Sequence, residues 1–398
     1  MKTQIAVLEH NVVGKPGENS LNIEVARQPL REIKKKLPLR VLSQADFDHW
    51  QTYGYVVVRQ AVPSANVERT RNFLWEFQEM DPNDISTWNA AQLRNHAMKE
   101  LNNSGMVEVY NHQVLWDNRQ EPSVYDAFVD IWDDERLWVT IDRANLNTPN
   151  RSGRAFAGFI HNDVDTTLDP LPVNVQGVLS LVDTDESTGG FQCVPELFRN
   201  FEAWKKTQPA DRDGFKPDIA PYELTPVPMK AGDLLIFNSL LTHGIRPNTS
   251  EDKARVAQYI SMTPADGGNE EIRQRRIDSW RERRAPEGFA FPGDPREWER
   301  TKYKTAELTP WAANSSASTP GRRTASTSYN RRSCSCCRLN PTQNIGWERT
   351  LFLASSCRCG CRCCCLQLSL LPKAKNVIST EATDSLTVRR AVDCSHIS

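Results

Sequence analysis

The sequence predicts a mainly β domain with flanking helices, in which strands fold back to face one another across a barrel-like interior. Three observations predict it. Tyr55-Val56-Val57-Val58, Gln176 to Val182 and Leu234-Leu235-Ile236-Phe237 are short runs rich in β-branched and large apolar residues, the composition of strands. His161 and Asp163 are separated by one residue at the end of another such run, and side chains at i and i+2 of an extended segment project to the same side. His243 lies 80 residues beyond Asp163, after strand-like sequence long enough for a second strand to return and face the first. A β barrel or sandwich can occupy roughly 200 to 250 residues as one domain before any helical decoration.

The remaining elements follow in order. Residues 1–40 are polar and include Lys34-Lys35-Lys36, read as a solvated lead-in with no function assigned. Ser43 is a good N-cap for a helix from Gln44 to about Thr52, with Asp46 in the first turn where negative charge suits the helix dipole. Gly54 ends it. Pro63-Ser64 opens a second helix whose Val67, Leu74 and Phe77 recur at helical spacing. Residues 81–104 read as a polar, loop-rich excursion. From Val107 to Asn147 large apolar side chains dominate; Pro122-Ser123 starts a helix to about Trp132, and Leu137 to Leu146 alternates as a strand. These aromatics are assigned to the core, and His112 to a structural, hydrogen-bonded place. Thr148 to Gly153 is a turn, and Ala155 to Ile160 a strand running into His161. Gly189-Gly190 suits a tight reversal, because glycine tolerates positive φ. Residues 199–228 read as a helix followed by a polar, Pro-containing insertion. Beyond Met262, Glu270 to Arg284 is a charged helical run with Trp280 as its anchor.

Two imidazoles and one carboxylate form the ligand set that holds ferrous iron on one face and leaves positions open. Isolated His-x-Asp pairs are common as surface or capping groups, so the weight lies on the combination. The chain has seven histidines, at 10, 49, 96, 112, 161, 243 and 396, and between His112 and His396 only His161 and His243 remain. Asp165 competes with Asp163 as the carboxylate. Arg255 lies twelve residues beyond His243, in a run where Arg255, Ala257 and Tyr259 share one face. There it is a fixed cation able to grip a carboxylate through two parallel hydrogen bonds. Arg246 is a rival placed in the turn Gly244 to Asn248.

Five pieces in this order resemble the phytanoyl-CoA dioxygenase family of iron(II)/2-oxoglutarate-dependent oxygenases. They are His161-Asn162-Asp163, Gly189-Gly190 leading to Pro195, Gly232-Asp233-Leu234-Leu235-Ile236-Phe237, His243-Gly244 and Arg255. The resemblance begins at Asp46-Phe47 and runs to about Pro264, a little over half of the chain. It implies a double-stranded β-helix (jelly-roll, cupin-like) core. It also implies iron(II) held by His161, Asp163 and His243, 2-oxoglutarate held by Arg255 with Gln176 as a further contact, and O2 as co-substrate. A small organic substrate would be oxidised with release of succinate and CO2. Asp163 points to hydroxylation or another oxidative outcome rather than halogenation, because halogenase relatives carry a small residue there to admit chloride. One departure stands out: some relatives place a hydroxyl two residues after the distal histidine to help hold the 2-oxoglutarate carboxylate, and here that position is Ile245. Two other functions use the same residues: a non-catalytic jelly-roll protein that binds metal or ligand, and a metal-dependent isomerase or hydrolase. A secondary metabolite and an acyl thioester both fit as substrate.

Composition narrows the partners. Lys and Arg total 49 against 50 Asp and Glu, a balance that gives no field suited to nucleic acid or a membrane surface. Ile5 to Val13 is interrupted by Glu9, His10 and Asn11, too short and polar for a signal peptide or a span, so a cytoplasmic enzyme acting on a small molecule is expected. The domains expected are the lead-in 1–40, the dioxygenase domain 41–310 and a tail 311–398 that is Ser/Thr-rich and then Cys-rich. Ten of the eleven cysteines fall between Cys334 and Cys394. Their spacing does not match paired zinc knuckles, and a disulfide framework sits badly without a signal peptide. The tail reads as a poorly ordered extension of misassigned-frame or intron origin, with a thiolate metal cluster as the competing reading.

Overall fold

Local chemistry starts the first helix where the sequence places it. The Asp46 N–H donates to Ser43 Oγ at 3.1 Å while the Ser43 N–H donates to the Asp46 carboxylate at 3.0 Å. This capping box opens α1, Gln44–Tyr53, and Gly54 at φ +81° closes it. The computed structural model describes residues 30, 33–89, 105–150, 157–172, 174–287, 293–310 and 312. Strand β1 (Tyr55–Val58) and helix α2 (Ser64–Phe77) follow, the helix burying Val67, Phe73, Leu74 and Phe77. After β2 (Met106–Val107) comes α3 (Gln113–Arg119), capped by His112, whose Nδ1 accepts from the Val114 N–H. Its ring stacks on Phe73 with centroids 3.8 Å apart, so His112 is structural, as expected. Helix α4 (Pro122–Trp132) begins at the predicted proline and buries Val124, Phe128, Ile131 and Trp132. Each such side chain contributes about 1.5–3 kcal/mol of transfer free energy.

The end of the lead-in is tied down. Asp130 accepts the backbone N–H groups of Arg40, Val41 and Leu42, and Asp133 those of Lys36 and Leu37. Lys35 Nζ lies 3.2 Å from the Asp133 carboxylate, and Leu30 and Ile33 are buried. The lysine run therefore includes a paired member.

The expected strand from Leu137 to Leu146 divides. β3 (Leu137–Val139) pairs only with β12 (Met262–Pro264), whereas β4 (Ala144–Asn147) joins another sheet. Both strands are buried at every position, and the partners that separate them lie more than a hundred residues away, so local periodicity does not reveal the break. The other strands are β5 (Phe159–His161), β6 (Val175–Ser180), β7 (Gly190–Cys193), β8 (Thr225–Pro226), β9 (Leu234–Asn238), β10 (His243–Arg246) and β11 (Arg255–Tyr259). A six-stranded sheet has the order β1-β9-β6-β11-β4-β2 and a four-stranded sheet the order β5-β10-β7-β8, all pairs antiparallel. From β4 to β7 and again from β9 to β11, successive strands alternate between the two sheets. Mainly antiparallel sheets with flanking helices are thus the architecture. α5 (Pro195–Arg199) and α6 (Phe201–Thr207) follow β7, and α7 (Glu270–Glu282) and α8 (Trp298–Lys302) follow β12.

Trp280 on α7 donates its indole N–H to Ala306 O at 3.0 Å, the anchoring expected of it. No helix among the described residues is long and apolar enough to cross a membrane. Most of the 81–104 excursion, the start of the strand at Ala155, and the Cys-rich tail lie outside the described residues.

Candidate metal centre

The site is built by strand register. β5 and β10 pair so that His243 stands directly opposite His161, and opposite residues of an antiparallel pair present their side chains to the same face. The close approach needs Gly244. A Cβ there would stand 1.6 Å from Phe159 O, so only glycine lets β10 lie against β5 beside the histidine. Asp163, two residues past the end of β5, turns its carboxylate between the two rings. Its Oδ1 is 2.9 Å from His161 Nε2 and its Oδ2 3.3 Å from His243 Nε2. One ligand atom from each of the three lies within 4.8 Å of the others, and all three residues are buried. Among the described residues no other three His, Cys, Asp or Glu side chains converge in this way.

Electrostatics put Asp163 and His243 in the protonation states that bind metal. Burial pushes the Asp163 carboxyl up, but His243 and His161 beside it outweigh burial and hold it at about 2. Burial drives the His243 imidazole down to about 4. Its Nδ1 lies 2.8 Å from Leu241 O; the hydrogen bond that selects puts the proton on Nδ1 and turns the Nε2 lone pair toward Asp163. Two imidazoles and an ionised carboxylate therefore converge at one buried place. The donor set fits a divalent iron, and the tight clustering of its atoms matches the space one ion would bridge. Phe191 stacks on the His243 ring at 5.3 Å and Phe237 packs against it at 4.5 Å, so the far side is apolar. Phe159, tilted against His161 at 4.8 Å, is 37 % exposed and forms the rim.

Supporting contacts hold the ligands. Gln176 Nε2 donates to Asp163 Oδ2. Thr242 Oγ1 donates to Asn162 Oδ1 at 2.7 Å, tying the residue before His243 to the residue between the other two ligands. Gln176 was expected at the co-substrate; the contact described is with the metal-ligand candidate itself. Asp165 is elsewhere engaged: its Oδ1 accepts from the N–H and hydroxyl of Thr167, closing a turn. The Thr242–Asn162 bond had no sequence signal, since 80 residues separate two ordinary polar side chains.

Arg255 opens β11 and is 3 % exposed. In register, Ala257 faces Ser180 of β6, so Arg255, Ala257, Ser180 and Gln176 share one face of the six-stranded sheet. Gln176 touches Asp163, which identifies that face as the one toward the metal centre. Arg255 Nη1 donates to Asn145 Oδ1 at 2.8 Å, and among the described residues no carboxylate pairs with it. Arg246 is occupied instead at the sheet edge, donating to Gly189 O at 2.8 Å and Asp185 O at 3.1 Å. Further along the same face, Arg143 Nη1 donates to Glu108 Oε1 at 2.7 Å, and Tyr110 Oη donates to Glu108 Oε2.

Antiparallel sheets enclosing a buried two-histidine, one-carboxylate cluster with a buried arginine on the facing wall define a protein of the non-haem oxygenase class. The description phytanoyl-CoA dioxygenase (PhyH) matches residues 50–257, just over half of the chain, and the chain belongs to that family of oxidoreductases. The chain is 25% identical over 243 residues to Ava biosynthesis cluster protein O of Aspergillus versicolor, covering 54% of this chain and 76% of that protein. Among solved structures, GlcNAc Inducible Gene 2 of Candida albicans is similar in fold, with a TM-score of 0.52 and 14% identity over 81% of this chain and 87% of that one. The carbocyclase SnoK from nogalamycin biosynthesis is similar at a TM-score of 0.39 and 22% identity, over 56% of this chain and 85% of that one.

Proposed function

We propose that this chain is an iron(II)/2-oxoglutarate-dependent dioxygenase that hydroxylates a small organic substrate. 2-Oxoglutarate, O2 and a substrate C–H are converted to succinate, CO2 and the corresponding alcohol. The observation that carries the reading is the conjunction of the buried His161–Asp163–His243 cluster with a buried, carboxylate-free Arg255 on the wall facing it. Charge supports it. A ferrous ion less one carboxylate leaves a single positive charge, Arg255 supplies another, and a dianionic keto acid balances both. The alternation of strands between the two sheets supports a double-stranded β-helix core.

In this reading His161, Asp163 and His243 hold iron on one face. Bound iron supplies the activation of O2, with 2-oxoglutarate as the two-electron reductant. The chain's own contribution is positional. Leu241 O orients the His243 ring, and Gln176 and the Thr242–Asn162 bond fix Asp163 and the strand ends. Arg255 receives the keto acid's distal carboxylate. Phe191 and Phe237 exclude water behind His243, and Phe159 meets the substrate at the rim. The partner is a small molecule, with neither nucleic acid nor membrane involved, in keeping with the near balance of charge.

The test is anaerobic addition of iron(II) and 2-oxoglutarate, followed by a succinate-release screen with oxygen across candidate substrates. A weak visible charge-transfer band and substrate-stimulated succinate are expected. A stable metal complex that gives neither band nor succinate would make this a binding protein instead.

A further inference from the structure

Ile245 occupies the position where some relatives supply a hydroxyl to the co-substrate carboxylate. It lies on β10 with Phe159 and Phe191 opposite it, and its side chain offers no hydrogen bond. The part is vacant at that position, and the structure offers a replacement on the other sheet. Arg255 stands opposite Asn147, yet its guanidinium runs diagonally to Asn145, two residues back along β4, and donates to Oδ1 at 2.8 Å. Asn145 is 2 % exposed, and its Nδ2 lies 3.9 Å from Met106 Sδ. We infer that Asn145 is the positioning residue for Arg255, taking over from the absent hydroxyl and aiming the guanidinium along the inner face at the distal carboxylate of 2-oxoglutarate.

Two features carry this beyond a packing contact. Asn145, Ala257 and Ser180 form one cross-strand row on the inner face, running toward β6. Ala257 and Ser180 are small, so nothing bulky in that row stands in front of the arginine. The rows to either side hold larger groups, Arg143 and Tyr259 in one and Asn147 and Arg255 in the other. The second feature is chemical. An amide oxygen fixes a guanidinium without neutralising it, whereas a carboxylate at the same place would compete with the keto acid for the same donors. Asparagine serves where aspartate would not.

This inference rests on the oxygenase reading, and the experiment separates the two. The iron(II) complex of the full chain is titrated anaerobically with 2-oxoglutarate and with 2-oxobutyrate, which keeps the chelating end and lacks the distal carboxylate. Wild type is expected to prefer 2-oxoglutarate. Asn145→Ala should weaken 2-oxoglutarate about tenfold and leave 2-oxobutyrate unchanged, as loss of one charge-assisted hydrogen bond requires. Asn145→Asp should weaken 2-oxoglutarate further, and Asn145→Ser, which restores an acceptor, should recover part of the loss. If the alanine variant does not fold, the aspartate and serine variants decide by the same comparison. Equal losses for both acids, or none, with wild type still preferring 2-oxoglutarate, would overturn the role of Asn145 alone. Wild type binding neither keto acid would overturn the oxygenase reading and this inference together.

Discussion

At Asp163, burial opposes the charge and two imidazoles favour it, and the imidazoles win, holding the carboxyl at about 2. Removing the carboxylate therefore removes both the anionic ligand and the group between the rings. Asp163→Ala or His161→Ala should abolish substrate-dependent succinate formation, measured on the iron-loaded protein; full turnover by either variant would contradict the ligand assignment. In the proposed scheme Arg255 holds the co-substrate rather than the metal. Arg255→Ala loses charge-assisted hydrogen bonds of about 1.5–3 kcal/mol, so the apparent KM for 2-oxoglutarate should rise about ten- to a hundredfold while the iron content holds. The convergence of His161, Asp163 and His243, and a buried Arg255 on a strand of the same domain, were legible from residue types and spacing. The partners of those residues were not: Gln176 against Asp163 and Asn145 against Arg255 depend on registers between strands distant in sequence.

Single elements show where sequence reading succeeds and where it stops. The Ser43–Asp46 box and Pro122 at the start of α4 are local chemistry, and both helices begin where the residues say. The split of Leu137 to Leu146 into strands of two sheets is decided by β12 and β11, which no local pattern encodes. Between β5 and β10 the deciding feature is the missing side chain at Gly244. Gly244→Ala places a Cβ 1.6 Å from Phe159 O and must force the strands apart. We expect a loss of about 3 kcal/mol or more in denaturant unfolding, together with weaker metal binding, because the same separation moves His243 from His161. The Arg143–Glu108 pair behaves differently. Both partners are buried, so Glu108→Ala removes the nearer carboxylate from Arg143, leaving Asp142 at 3.9 Å, and should cost about 3 kcal/mol; a stability close to wild type would show that Asp142 takes over the charge.

For the whole molecule, the C-terminal segment matters more than its charged composition suggests. Glu299 on α8 is buried and accepts the backbone N–H groups of Tyr110 and Asn111, the stretch beside Glu108. Burial pushes its carboxyl up to about 7 from an ordinary 4.5, against those donors and Arg119. Because the folded form holds this proton more tightly than the unfolded chain, the contribution is complete below about pH 4.5 and is lost as pH rises toward about 7. Urea unfolding across that range should show this decline, and Glu299→Gln should flatten it; an unchanged slope would remove Glu299 as its source. The segment stays attached as far as Thr309, whose N–H donates to Gln120 Oε1 at 2.6 Å. Truncation after Ala312 should therefore leave activity intact, whereas truncation after Glu287 should lower Tm and activity together.

Strand pairing brings His161 and His243 side by side although four strands, β6 to β9, lie between them in the sequence. An ion seated there would act as a rivet through both ends of that span, and its hold would be lost only when the span opens. Thermal melting in rising iron(II) or a redox-inert surrogate should climb with the logarithm of free metal. Occupancy could thus be followed by calorimetry before any substrate is known.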